Sequence, residues 1–382
     1  MSTTCIRRIN RLLAAGRRRL RRRASAGRQP FRGLRLVSGS PAADADCLAA
    51  SIGYAFLHSQ DAPPGTLVLP WVPVPRAELA LRPEVQLLIR RAGVAERLLA
   101  CAEDFAPERL EDGGEGPELV LVDSDGAWLP PAARGRIVEV LDHHPGARRP
   151  AEAPAARWTV ETVGSACTLV AERLCACEPG LVDAGLALLL LGPILLDTVL
   201  FDATAERTTP RDRQAARRLA RIAGVPEGEL YVELLTARQG LPGLSSRDLL
   251  RRDYKGGEAG GVRYGISSSP VSLRRWRERD PAPEEAVRRF REEHGLDLLL
   301  VMIAYEQPGA GGFRRELGVA AGGGRLDAAL LDWLKAAGMW LRELPDAGHG
   351  QPVRWFSQEA VEVSRRKLEP RLRAWLEGEM LG

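Results

Sequence analysis

Ile137-Val138-Glu139-Val140-Leu141-Asp142-His143-His144-Pro145 decides how the rest of the chain is read. The β-branched run predicts a buried strand, and an acid, two adjacent histidines and a proline stand where that strand must stop. Open α/β sheets present their chemistry in loops at the carboxyl ends of strands, so the stretch points to a polar site at a sheet edge. It holds two of the chain's five histidines. An ordinary polar turn reads the same way in isolation, and other segments must tip the balance.

Working outward, three more acid-bearing segments each follow an apolar run. Upstream, Glu118-Leu119-Val120-Leu121-Val122 predicts a strand that delivers Asp123, while the following Asp125-Gly126 has turn chemistry. Earlier still, the strand Leu34-Arg35-Leu36-Val37 is stopped by Ser38-Gly39-Ser40-Pro41, and Asp44 and Asp46 open an Ala-rich helix. Acids in a first helical turn are commonly caps, but two acids spaced i, i+2 at a strand-to-helix junction also suit one or two cations. A strand at Thr66–Leu69 and a helix near Glu84–Arg91 lie between, with a loop at Glu111–Pro117. Downstream, Ala184–Leu191 and Gly192–Thr198 form a nearly all-apolar helical segment interrupted at Gly-Pro, which Asp197 closes. A lone acid among aliphatics is costly unless paired or ligated.

Asp44, Asp46, Asp123, His143 and Asp197 together offer four carboxylates and one imidazole. Hard oxygen donors with a single nitrogen suit Mn²⁺ or Mg²⁺, whereas zinc favours more His or Cys. A shared carboxylate can hold two ions ~3.5–4 Å apart, the arrangement that polarises a phosphoryl oxygen and acidifies a water. The reaction class expected is metal-assisted phosphoryl hydrolysis.

At 382 residues the chain exceeds one typical core, and two domains are expected. Its composition, 45% hydrophobic and 27% charged, is that of a globular protein, and no run of ~18 apolar residues predicts a membrane span. The formal charge of +4 conceals two unlike parts. Residues 1–40 hold twelve Arg and no acid, leaving 42 basic against 50 acidic residues beyond them, a net of −8. An extended basic footprint for nucleic acid is therefore missing from the body. Residues 1–33 read as a basic, disordered arm, with a polyanion contact or an organellar presequence as alternatives. The six cysteines, none in C-x-x-C spacing, read as reduced core thiols of a cytoplasmic protein.

The ordered series of D-x-D after the first strand, Leu121-Val122-Asp123, Asp142-His143-His144 and Leu195-Leu196-Asp197-Thr198 resembles the four motifs of the DHH phosphoesterase superfamily. Val163-Gly164-Ser165-Ala166-Cys167-Thr168-Leu169-Val170-Ala171-Glu172-Arg173 is similar to its Prune and cytosolic exopolyphosphatase branch. The resemblance spans residues 34–382. It implies two divalent ions, Mn²⁺ or Mg²⁺, on Asp44, Asp46, Asp123, His143 and Asp197, with Asp142 in support and His144 facing the substrate phosphate. Ser40 departs from the pattern, because related pyrophosphatases carry a metal-binding His there and exopolyphosphatases often an Asn. His144 departs from animal Prune proteins, which tend to have Arg.

Residues 203–228, Arg-rich and broken by Pro210 and Pro226, read as a helical linker before a C-terminal domain at 229–382. Strands at Val262–Ser267 and Leu298–Ala304, a helix at Leu326–Ala337 and one near Pro370 give that domain an α+β character. Lys255 before Gly256-Gly257, and Ser364-Arg365-Arg366-Lys367, resemble the phosphate-gripping Lys and the S-R-K motif of the branch's second domain. Gly322-Gly323-Gly324-Arg325 and Gly348-His349-Gly350 match the glycine-rich nuclease alternative poorly.

The expectation is thus an α/β protein with a parallel-sheet metal-binding domain at 34–202, a smaller C-terminal α+β domain, and an active site in the cleft between them. Asp142 and His144 are the catalytic candidates, and His144, Lys255, Arg365 and Arg366 the substrate-binding ones. The expected activity is an exopolyphosphatase acting on short polyphosphate. An inorganic pyrophosphatase, a nucleotide phosphodiesterase and a low-activity Prune-like binding protein are the alternatives. Nucleic acid and membrane are not expected partners, and oligomeric state stays open.

Overall fold

The apolar runs quoted above become strands of one parallel sheet. In the computed structural model, the first unit runs α1 (Thr4–Ser25), β1 (Leu34–Ser38), α2 (Ala45–His58), β2 (Leu67–Val72), α3 (Arg76–Leu79), α4 (Pro83–Ala92) and β3 (Ala100–Cys101). It continues through β4 (Glu118–Val122), α5 (Pro131–Arg134), β5 (Ile137–Asp142), β6 (Arg157–Val160), α6 (Ala166–Cys177), α7 (Ala184–Asp197), α8 (Pro210–Ala223) and α9 (Glu227–Gly240). The structure describes residues 4–25, 33–110, 116–177, 180–203, 207–240, 244–306, 312–322, 325–344 and 353–379. Residues 111–115 of the expected loop and Gly348-His349-Gly350 lie outside them.

Strand order is β3-β2-β1-β4-β5-β6, every neighbour parallel. A parallel sheet is covered on both faces, so its strands read as continuous apolar runs. Val120 and Val122 enter the core with α2, α6 and α7, while Leu119 and Leu121 join Leu36, Trp71 and Phe105 on the other face. The chain builds β1, β2 and β3 in one direction and then returns to lay β4 on the far side of β1. That reversal is a topological switch point, and the crevice beyond the carboxyl ends of β1 and β4 is where such sheets hold ligands.

Three expectations are corrected. Residues 4–25 of the basic arm form a helix, because Ile6, Ile9, Leu13 and Leu20 recur at helical spacing among the arginines and all are buried. Gly16 completes the stripe: a Cβ there would lie 1.8 Å from a Leu69 methyl of β2. The expected linker is likewise part of the first unit. Thr209 and Asp212 form a capping box at the start of α8, whose Ala215, Ala216 and Leu219 enter the same core as α7. The division between units falls at Arg238 and Gln239 instead of at 228 and 229. Finally, α7 is one continuous helix with Pro193 inside it, not two pieces.

The second unit, from Gln239, comprises α10 (Ser246–Arg251), β7 (Tyr254–Ala259), β8 (Val262–Ser269), α11 (Leu273–Arg279), α12 (Pro283–Glu293), β9 (Leu298–Glu306), β10 (Phe313–Ala321), α13 (Arg325–Ala336), β11 (Leu341–Glu343), β12 (Arg354–Gln358) and α14 (Arg365–Glu379). Its mixed sheet is ordered β11-β12-β10-β9-β8-β7, with only β8 and β9 parallel. Leu298, Leu300 and Leu317 face Leu330, Leu334, Leu368 and Leu372, whereas Leu299 and Val301 face Trp276, Phe290 and Trp355. No helix among the described residues is long and apolar enough to cross a membrane.

Candidate metal centre

At the carboxyl end of β1 the chain turns through Ala43, at φ +46°, into Asp44, the N-cap of α2. Asp44 is exposed, and its Oδ1 accepts from the Cys47 N–H at 3.0 Å. The capping role weighed for this acid is therefore real, and it leaves Oδ2 free of that duty. Asp46 is buried and serves another helix: Oδ1 accepts from Ser165 Oγ (2.6 Å) and Cys167 N–H (2.9 Å), and Oδ2 from Ala166 N–H (2.7 Å). The turn holding these donors is fixed by Asp212, which accepts from Gly164 N–H, Thr168 Oγ1 and Thr209 Oγ1 at 2.6–2.9 Å. Gly164 is required there, since a Cβ would lie 2.6 Å from Arg207 O and Thr198 Cγ2.

Asp123 continues the ladder beyond β4, its N–H donating to Leu141 O at 3.0 Å, but at φ +52°. A left-handed Asp costs about 1 kcal/mol, and such strain gathers at functional sites. Its Oδ1 lies 3.1 Å from His143 Nε2, and its Oδ2 accepts from Cys47 Sγ at 3.0 Å. His143 donates from Nδ1 to Val163 O at 2.9 Å, and its Nε2 faces Asp123 as an N–H donor whose proton a cation would displace, with Asp46 Oδ2 3.7 Å away. Asp142, 1% exposed, accepts through Oδ1 from the His143 N–H (2.7 Å), the His144 N–H (3.2 Å) and His144 Nδ1 (2.8 Å). The pair fixes the His144 ring and leaves its Nε2 for a ligand.

Asp197 ends α7, and the chain departs through Val199, Leu200 and Phe201, all at positive φ. Its Oδ2 is out of contact with solvent and has no hydrogen-bond partner. Burial, then the charges of Asp46, Asp44 and Asp123, hold its carboxyl far above the ordinary value. Burial and Asp46 likewise push Asp123 up to about 6. Burial opposes charge on His143, but the bond to Asp123 and the nearby acids raise it to about 10. Burial would raise Asp142 as well, yet its bonds to His144 and two N–H groups keep it below the usual range.

These directions describe a site short of positive charge. Donor atoms of Asp123, Asp142, His143 and His144 lie within 4.8 Å of one another, and so do those of Asp44, Cys47 and Asp123. Asp123 belongs to both groups, as a carboxylate shared by two cations would. Asp46 and Asp197 stand outside these two groups, although the Asp46 charge acts on Asp123 and the Asp123 charge acts on Asp197. The orphaned Asp197 oxygen, the aimed Nε2 and the shared carboxylate all fit divalent ions. Cys47 and Asp212 were missed by sequence reasoning, the first because it reads as a core thiol in an Ala-rich helix and the second because it sits in an Arg-rich run.

In the second unit Lys255 is exposed on the edge strand β7, and Arg366 is exposed at the start of α14. Arg365 is committed to Asp253, with Nη1 2.8 Å from Oδ1 and 2.9 Å from the carbonyl O. That clamp ties the start of α14 to the residue preceding β7, the strand that carries Lys255.

Residues 232–375 match the family model described as the DHHA2 domain. The chain is 27% identical over 355 residues to the exopolyphosphatase PRUNE1 of Homo sapiens, a match covering 91% of this chain and 76% of that protein. With the rat protein of the same name the match covers 62% of the relative's length. A putative exopolyphosphatase of Schizosaccharomyces pombe is 28% identical over 358 residues, covering 88% of this chain and 89% of the other. The manganese-dependent inorganic pyrophosphatase of Methanocaldococcus jannaschii is 28% identical over 249 residues, covering 62% and 72%. A solved structure, titled a putative family II inorganic pyrophosphatase of Methanococcus jannaschii, shares the fold: TM-score 0.60 at 21% identity, over 91% of this chain and all of that one.

Proposed function

Since the chain belongs to the DHH phosphoesterase superfamily, in its Prune and exopolyphosphatase branch, we propose that it is a divalent-metal-dependent hydrolase that releases phosphate from short inorganic polyphosphate. The observation that carries this reading is the Asp197 Oδ2, buried without a partner among three further carboxylates. Asp44, Asp46, Asp123, His143 and Asp197 are proposed to hold two ions, Mn²⁺ or Mg²⁺. Bound there, such ions supply Lewis acidity to the phosphoryl group and to an attacking water.

The chain's own groups have separate duties in this reading. The Val163 carbonyl holds His143 Nδ1–H, so that Nε2 is the nitrogen left to a cation once its proton is displaced. Asp142 fixes His144, whose Nε2 is proposed to meet a non-bridging phosphate oxygen. Lys255 and Arg366 are proposed as the cations that neutralise the remaining phosphate charge, with Arg365, paired to Asp253, holding the start of α14 in place. Water adds across a terminal P–O–P link, giving orthophosphate and a chain shorter by one unit, and no covalent intermediate is needed.

The pyrophosphatase relative supports a second reading in which pyrophosphate is the substrate. Phosphate release from tripolyphosphate, pyrophosphate, long polyphosphate and a short oligonucleotide, with Mn²⁺, Mg²⁺ or chelator, separates these. Tripolyphosphate turned over fastest, and only with metal, is expected. A preference for pyrophosphate favours the second reading, and metal-independent or oligonucleotide-only cleavage overturns both.

A further inference from the structure

We infer that the Cys47 thiolate is a direct ligand of the cation held beside Asp44, making that half of the centre a sulfur-containing site that prefers cobalt, zinc or cadmium to magnesium. This rests on the metal-dependent reading above and adds to it a ligand and a selectivity.

Core thiols ordinarily sit among apolar atoms. Cys47, 2% exposed, instead abuts three polar side chains: Sγ is 3.0 Å from Asp123 Oδ2 and 3.4 Å from Ser40 Oγ, and it shares a cluster with Asp44 and Asp123. Its place is built in two ways. The Asp44 cap bond to the Cys47 N–H sets both side chains at the first turn of α2. Gly39 then makes room, because a Cβ there would lie 2.6 Å from Cys47 Cβ and 2.9 Å from Sγ. Cys167, also buried, turns its Sγ to the Asp46 carbonyl at 3.8 Å and belongs to neither donor group.

A cation is called for nearby on separate grounds: the Asp197 oxygen, outside this donor group, is buried without a partner, and the charges of Asp46, Asp44 and Asp123 bear on it. Asp44 and Asp123 alone would give an all-oxygen site, the kind magnesium accepts. A thiolate as third donor shifts preference to softer ions. Ligation exchanges the S–H bond for a sulfur–metal bond and releases the proton to solvent.

The test is Co²⁺ titration of the reduced, metal-free full chain, followed by near-ultraviolet absorption for sulfur-to-cobalt charge transfer, with calorimetry giving the number of ions. The band should saturate at one Co²⁺ per chain. Cys47→Ser should lose it and weaken that ion by about tenfold or more. Cys47→Asp should keep an ion without the band, which guards against a folding defect in the serine variant. Cys167→Ala should keep both. Co²⁺ binding to wild type without the band, or a band that survives Cys47→Ser, overturns the inference and spares the metal-dependent reading. Wild type that binds no Co²⁺, Mn²⁺ or Mg²⁺ overturns both.

Discussion

Beyond the edge strand β3, the Asp104 carboxylate has no side-chain exposure and accepts from Arg17 Nε at 2.8 Å and Arg21 Nε at 2.6 Å. At the end of α7, Asp197 has an oxygen equally cut off from water and no donor for it. Burial would raise Asp104, yet its hydrogen bonds from Arg17, Arg21 and the Cys101 N–H hold it below the usual carboxylate range, whereas burial and three neighbouring acids drive Asp197 far above it. One carboxylate is completed by the fold and ties a helix down. The other is left incomplete, which folding alone would not favour. The missing donors on the buried Asp197 oxygen are what mark it as the proposed ligand-binding acid.

Removing α1 would take two of its arginine donors from Asp104, leaving Arg76 and the Cys101 N–H, and the loss should be the largest of those considered. The helix buries Ile6, Ile9, Leu13 and Leu20 together with the two arginine contacts, and four aliphatic side chains contribute roughly 6–12 kcal/mol. Deleting residues 1–25 should leave the first unit poorly folded in thermal melts. A truncation that melts like the full chain would break the comparison. Had those residues been a disordered arm, the deletion would leave folding and rate unaffected.

Asp197→Asn should cut phosphate release by at least about a hundredfold, because it withdraws charge from the proposed metal centre, while the melting temperature of the metal-free protein stays level or rises. Unchanged turnover would remove Asp197 from the site. Asp104→Asn should do the reverse, lowering stability by about 2–3 kcal/mol with turnover unchanged well below the melting temperature. That figure is under the range for fully buried pairs because Arg21 is 57% exposed.

The smallest effect expected is in pH, and its sign differs between the two acids. Asp104 is depressed in the folded state, so its contribution is present above the ordinary 3.8 and is lost as pH falls through the lowered value. Asp197 is raised, so its contribution is complete below 3.8 and is lost as pH rises through the raised value. In metal-free melts, Asp104→Asn should flatten the acid side of the profile, and the gain from Asp197→Asn should grow as pH increases. Parallel profiles would show that the two carboxylates do not differ as described.

The strand-end acids were legible because a buried parallel strand writes itself as an apolar run, and the residue after it emerges at the sheet edge. Asp123, Asp142 and His143 lie where that rule puts them. The stripe of α1 was hidden by nine arginines that swamp the average hydropathy of a helix whose apolar residues are few but regularly spaced. In the second unit, β7 and β10 to β12 carry glycines and arginines on exposed faces, so alternation is weak and they were not anticipated. Cys47 was illegible for a different reason: its chemistry depends on Gly39 and Asp123, neighbours in space that no local pattern announces.

Anomalous diffraction from crystals of the full chain loaded with Mn²⁺ tests the central claim most directly. Two peaks flanking the Asp123 carboxylate are predicted, one on the Asp44 side and one on the His143 side. No peak there, or peaks elsewhere with Asp197 Oδ2 still without a partner, would contradict a metal centre at this site.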